Sequence, residues 1–201
     1  NILCTNIRFI AASATIPNIT DIAEWLKSSN GEPAKTLTFN DEFRQVSLEK
    51  HVYGFPFYNK NEFQKDALYN SKLSDIILNH YKRKPVLIFC PTRSSTISTA
   101  KFLCKNFPVY QLNSNEVKII KVNDNTLRDC VSKGVAFHNA GLSLDDRNAI
   151  EQNFINGNIK ILCSTSTLAV GVNLPAYMAV IKGTSIWSVH ESKDYSNLDI
   201  L

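Results

Sequence analysis

The chain has 201 residues, 44% hydrophobic and 20% charged, the balance of an ordinary globular protein able to bury a core. Its net charge of +4 is compatible with a polyanion partner and demands none, because basic residues are spread along the chain and not massed in a tail. The longest apolar runs, such as Pro85-Val86-Leu87-Ile88-Phe89-Cys90, are strand-sized and exclude a helical membrane span.

The first residues, Asn1-Ile2-Leu3-Cys4, carry neither a start methionine nor a signal-peptide pattern, so the sequence is expected to begin within a longer chain. The cysteines Cys4, Cys90, Cys104, Cys130 and Cys163 are odd in number and form no C-x-x-C pair. That pattern argues against a disulfide framework or a zinc site and for a reducing compartment. Cys90 and Cys163 end apolar runs, where a thiol acts as a small hydrophobe.

In chain order, Arg8-Phe9-Ile10-Ala11-Ala12 reads as a buried strand running into the polar turn Ser13-Ala14-Thr15. Asn18 or Thr20 can then cap a helix whose apolar positions Ile19, Ile22, Ala23 and Leu26 recur at helical spacing. Asn18-Ile19-Thr20 fits a glycosylation sequon but is better read as that cap. The stretch from Ala34 to about Tyr58 holds two β-leaning runs, 36–39 and 51–55, and reads as a connection between two units. Asp41-Glu42-Phe43-Arg44 within it resembles an acidic metal motif only superficially and is taken as connector surface.

From about Phe63 helices and strands alternate. Leu73, Ile76, Ile77, His80 and Tyr81 make one helical face, stopped by Lys82-Arg83-Lys84-Pro85; residues 86–90 form a buried strand. Ile97, Ala100, Leu103 and Cys104 mark the next helix, and 133–138 the next strand. Ser143 with Asp146 resembles a capping box opening a helix through Ile150 and Phe154, which Gly157 ends. Residues 159–163 and 178–181 are further strands. Apolar strands alternating with amphipathic helices imply an α/β fold with a parallel sheet covered on both faces. Ligands bind such sheets at the loops after the carboxyl ends of the strands. The unusual polar turns of this chain fall there: 13–15, Pro91-Thr92-Arg93, His138-Asn139-Ala140-Gly141 and Ser164-Thr165-Ser166-Thr167.

The strongest segment runs from Cys163 to Ala176: a buried strand, a run of hydroxyls, then Gly171, Asn173 and Pro175 shaping a turn. Hydroxyls and free N–H groups in such a turn can hold a phosphodiester backbone without reading bases. An arginine beside a hydroxyl at a helix start, as in Thr92-Arg93, makes a phosphate clamp.

Ser13-Ala14-Thr15 resembles motif III of superfamily 2 helicases, and Leu87-Ile88-Phe89-Cys90-Pro91-Thr92-Arg93 resembles motif IV. Phe137-His138-Asn139-Ala140-Gly141-Leu142 is similar to that superfamily's "HHAGL" element, and 165–176 resembles motif V almost throughout. Within the superfamily, 13–26 and 165–176 look most like the meiotic crossover DExH helicases, which are 3′-to-5′ DNA helicases. The resemblance covers nearly the whole chain, in order and spacing. It implies RecA-like domains of the P-loop NTPase helicase core: 1–33 as the carboxyl-terminal edge of a first one, 34–60 as a connector, and 61–201 as a second one ending before motif VI.

By the same resemblance, Ser13 and Thr15 couple ATP state to domain closure, and Gly171 and Asn173 face the nucleotide. Thr92, Arg93, His138, Gly141, Thr165 and Thr167 lie towards the nucleic-acid backbone. ATP and Mg²⁺ are the implied cofactors, with the Mg²⁺ ligands outside this sequence. The implied partners are single-stranded or branched DNA and the remaining helicase domains of the same polypeptide, in the nucleus. An RNA helicase of the same superfamily and a non-catalytic RecA-like binding module are the alternatives. Asn139 stands where the family usually has a second histidine, and 109–125 matches poorly and reads as a variable insertion. No G-x-x-x-x-G-K-[ST] phosphate loop occurs in the 201 residues, nor an arginine-rich motif VI, so this chain alone is expected to turn over no ATP.

Overall fold

The computed structural model describes residues 9–13, 16–28, 30–59, 61–108, 120–166, 168, 174–187 and 192–194, with backbone only at 185–187 and 192–194. The chain divides into two compact units, 1–56 and 57–200.

In the first unit a short helix, α1 (Ile19–Trp25), buries Ala23. Asn18 stands at its N-cap position, but no side chain caps it. The chain then turns through Gly31, whose φ of 85° suits glycine, and folds back so that the Ala34 N–H donates to the Ala23 carbonyl at 2.9 Å. The expected strand before the polar turn does not form over its described residues. Residues 9–12 have no regular structure, and Phe9 and Ile10 are 82% and 81% exposed. The β-leaning runs 36–39 and 51–55 are likewise irregular, with a 3₁₀ turn at Asp41–Phe43 between them. A β-prone run becomes a strand only when a neighbour takes its backbone hydrogen bonds, and the described residues of this unit provide none. Asp41 is tied up with Arg44 (3.0 Å), and both side chains are well exposed, as befits connector surface.

The second unit opens with a long helix, α2 (Glu62–His80). Its start is a capping box: Asn61 accepts from the Gln64 N–H at 2.9 Å, and the Asn61 N–H donates to Gln64 Oε1 at 3.1 Å. There follow β1 (Val86–Cys90), α3 (Arg93–Asn106), α4 (Asn125–Val131), β2 (Val135–His138), α5 (Leu144–Ile155), β3 (Ile161–Thr165) and β4 (Met178–Ile181). A separate antiparallel pair, β5 (Ser185–Trp187) and β6 (Ser192–Asp194), comes last. Sequence periodicity foreshadowed neither that pair nor α4, which is too short to repeat a helical pattern.

β1 to β4 form one fully parallel sheet in the order β2-β3-β1-β4. Val86, Ile88, Phe137, Ile161 and Leu162 on its strands, with Ile77, Leu103, Ile150 and Phe154 from the helices, are essentially inaccessible to water. Each such side chain contributes about 1.5–3 kcal/mol of transfer free energy, which is what holds the helices against the sheet. Cys90 and Cys163 are buried within this core as read from the sequence. A hydrogen bond from Cys163 lowers the pKa of Cys90, while burial pushes the Cys163 thiol well up.

The cap of α5 differs from a full capping box. Ser143 accepts from the Asp146 N–H at 3.1 Å, but the buried Asp146 carboxylate does not answer the Ser143 backbone. It accepts instead from the N–H groups of Asn123 (2.7 Å) and Asp124 (3.2 Å). A charge buried this deeply needs strong donors, and the segment leading into α4 presents two together.

Candidate nucleic-acid interface

The parallel registers bring the carboxyl ends of three strands to one edge of the sheet. Cys90 pairs with Thr165, and His138 pairs with Ser164. The loops 138–141, 165–166 and 91–93 therefore stand side by side, in the strand order β2, β3, β1. Three of the four polar turns singled out by sequence thus converge. The fourth, at 13–15, lies in the other unit, with Ser13 exposed and Thr15 outside the described residues.

Thr92 is the N-cap of α3, its hydroxyl accepting from the Ser95 N–H at 3.1 Å. Arg93 follows in the first turn, exposed and paired with no carboxylate among the described residues. It therefore presents a free guanidinium next to unsatisfied N–H groups at a helix start, a chemistry suited to an anion. Thr165 ends β3 and is half-buried. Thr167, Gly171 and Asn173 lie outside the described residues.

His138 is turned inward: it is buried, and Nε2 lies 2.7 Å from Glu151 Oε1 on α5. Burial lowers its pKa, and nearby Arg147 adds to this, while Glu151 pulls the other way. Although the pair has ion-pair geometry, its surroundings favour the neutral ring, in which Nε2–H donates to the carboxylate. His138 thus anchors its loop from below and leaves the surface to Gly141 and the backbone around it.

Asn139, set aside in the sequence reading, turns out to join two of the loops. It is 3% exposed; Nδ2 donates to Thr96 Oγ1 at 2.8 Å, and Oδ1 accepts from the Gly141 N–H at 2.9 Å. The Thr96 hydroxyl in turn donates to the Arg93 carbonyl at 2.7 Å. One chain of hydrogen bonds therefore runs from Gly141 through Asn139 and Thr96 to Arg93. A Cβ at position 141 would lie 3.0 Å from Asn139 Oδ1, so glycine suits the close approach.

Beyond β4 lies a buried charge that the sequence reading did not single out. Lys182 is 4% exposed, its N–H donating to the Phe89 carbonyl at 2.9 Å. Its Nζ meets Asp66 Oδ1 (2.7 Å) and Asn70 Oδ1 (2.7 Å) on α2, and Thr99 Oγ1 (2.6 Å) and Ser95 Oγ (3.1 Å) on α3. Asp66 also accepts from the hydroxyls of Ser95 (2.5 Å) and Ser98 (3.1 Å). This cluster pins the first turns of α3, and with them Thr92 and Arg93, to α2 and the end of β4. Its sequence signal was weak: Asp66, Asn70 and Ser74 interrupt an apolar face at helical spacing, and a lone lysine follows an apolar strand. Among the described residues, no group of three or more His, Cys, Asp or Glu side chains is arranged to hold a metal ion.

A parallel four-stranded sheet flanked by helices, with polar loops gathered at its carboxyl edge, defines a RecA-like α/β domain. The chain belongs to the helicase conserved C-terminal domain family, which it matches over residues 69–195. The resemblance to superfamily 2 helicases read from the motifs agrees with this assignment. It is 57% identical over 203 residues to the ATP-dependent DNA helicase MER3 of Saccharomyces cerevisiae, covering 100% of this chain and 17% of that protein. It is 42% identical over 200 residues to the probable ATP-dependent DNA helicase HFM1 of Homo sapiens, covering 96% of this chain and 14% of that protein. It is 36% identical over 188 residues to the DExH-box ATP-dependent RNA helicase DExH14 of Arabidopsis thaliana, covering 89% of this chain and 8% of that protein. The chain thus spans less than a fifth of the length of these relatives.

Proposed function

We propose that the chain is the second motor domain of an ATP-dependent DNA helicase that moves along and unwinds DNA in meiotic recombination, within the nucleus. The observation that carries this reading is the convergence of 91–93, 138–141 and 165–166 on one sheet edge, in a helicase-family chain whose higher-identity relatives are named DNA helicases. In this reading 1–33 closes a first motor domain, 34–60 connects, and 61–201 carries one of two grips on single-stranded or branched DNA. Thr92, Arg93, Gly141, Thr165 and Thr167 contact the backbone, and His138 holds the 138–141 loop in place. Ser13 and Thr15 couple the two motor domains, and Gly171 and Asn173 face the nucleotide. ATP with Mg²⁺, held by the intact polypeptide, supplies the free energy for the alternation of grips. Contacts to phosphate make binding tolerant of sequence and sensitive to salt.

The test is equilibrium binding of labelled DNA and RNA single strands of matched sequence to the 201-residue chain, with Arg93→Ala as the comparison. Losing one phosphate contact reduces affinity about equally for every sequence and lowers the salt slope by about 0.7. A loss confined to one sequence, or none at all, refutes the clamp. Tighter RNA binding favours the RNA-helicase alternative.

A further inference from the structure

At the opposite edge of the sheet, where the four parallel strands begin, the loops carry cations. Lys82, Arg83 and Lys84 lead into β1, Lys133 precedes β2, and Lys160 precedes β3. Hydrogen bonds tie these loops into a row. The Lys160 N–H donates to the Gly134 carbonyl (2.9 Å), the Val86 N–H to the Lys160 carbonyl (2.8 Å), and the Tyr177 N–H to the Pro85 carbonyl (2.9 Å). Following the strand order, the row spans three strand spacings, about 14 Å. Arg83, Lys84 and Lys133 are exposed and Lys160 half-buried, and none pairs with a carboxylate among the described residues.

Helix dipoles do not account for this row. Basic residues offset a helix dipole only within the last turn. His80 and Lys105 already occupy the last turns of α2 and α3. Of the row, Lys133 reaches a helix end, its Nζ donating to the Cys104 carbonyl at 3.3 Å. The carboxylates Glu62, Asp145 and Asp146 sit in first turns, and Asp124 caps α4, all at the edge where the strands end. Near the strand starts, Asp129 in the last turn of α4 shares the surroundings of Cys130 with Lys133 and offsets part of that charge, whereas no carboxylate among the described residues pairs with Arg83, Lys84 or Lys160. Arg83 holds a left-handed φ of 57°, a conformation that non-glycine residues rarely adopt. An aromatic ring completes the row. Tyr177 is 45% exposed, with Lys84 Nζ 4.9 Å and Lys82 Nζ 5.8 Å from the ring centroid.

We propose that this edge is a second nucleic-acid surface, separate from the carboxyl-edge loops, which takes the phosphodiester backbone of a single strand along its cations and a base beside Tyr177. The interleaving of lysine, arginine and an exposed aromatic distinguishes it from a site for an acidic peptide, which has no base to stack.

The test is fluorescence anisotropy of a labelled mixed-sequence DNA 20-mer with the 201-residue chain, over a series of salt concentrations. Lys84→Gln/Lys160→Gln removes two phosphate contacts and lowers the slope of log K against log salt by about 1.4. Lys84→Arg/Lys160→Arg keeps the slope, and Tyr177→Leu weakens binding without altering it. The effect combines multiplicatively with that of Arg93→Ala, so failure of either surface is seen separately. An unchanged slope and affinity for the Gln pair, with a circular dichroism spectrum like that of the parent, overturns the proposal. Poly-glutamate competing as well as the oligonucleotide also overturns it and identifies an acidic-peptide site. A Gln pair that misfolds while the Arg pair loses the slope overturns it too.

Discussion

Replacing Lys182 by methionine tests how the candidate interface is held in place. The ammonium is buried among Asp66, Asn70, Ser95 and Thr99, at 2.6 to 3.1 Å, with its side chain 2% exposed. Breaking a buried ion pair from one side costs about 3–5 kcal/mol, mostly because the remaining charge is left unmatched. Here the remaining charge is Asp66, which is 21% exposed and keeps hydroxyl donors from Ser95 and Ser98. The low end therefore applies, about 3 kcal/mol. Asp66→Asn is the harsher change, because the charge it strands is the more deeply buried ammonium. The double variant Lys182→Met/Asp66→Asn falls short of the sum of the two. In urea unfolding followed by circular dichroism, 3 kcal/mol at an m-value of about 2 kcal/mol per molar moves the midpoint by about 1.5 M. A Lys182→Met chain within 0.5 kcal/mol of the parent, or strictly additive single effects, would refute the view that this cluster fastens α3 to α2 and β4.

The remaining predictions concern the loops. His138 has a folded pKa below its unfolded value of 6.5, so the unfolded chain takes up its proton first as pH falls. The stability it contributes is whole above about pH 6.5 and is lost below it, at up to about 1.4 kcal/mol per pH unit. Thermal melts at pH 7.5 and 5.5 therefore converge when His138→Gln removes this share of the pH dependence; an identical pH slope in the variant counts against it. Asn139→Ala removes the hydrogen bond to Thr96 on α3 and the one from the Gly141 N–H within the turn, and its expected cost is about 1–3 kcal/mol. It also weakens single-strand binding along with stability, whereas a surface role for Asn139 would weaken binding alone.

The order of elements in the second unit was legible because its strands and helices each carry a local signature. Largely apolar runs of four to six residues, bounded by proline or polar turns, marked β1, β3 and β4, and 3.6-residue spacing marked α2, α3 and α5. Helix starts were legible where a single residue makes the cap, as at Thr92 and Ser143. The same local reading failed at 9–12, because β-propensity without a pairing partner yields no strand.

The polar turns after the strands, and so the residues able to meet a phosphate backbone, were written in the sequence, since a turn's chemistry lies in a few consecutive residues. Which turns stand together was decided by the tertiary structure alone, since only the parallel register brings 91–93, 138–141 and 165–166 to one edge. Long-range pairing also gave Asn139, Asp146 and Lys182 their partners, 43, 23 and 112 residues away. A buried polar group must be satisfied wherever the fold puts it, and no local pattern announces a partner that distant.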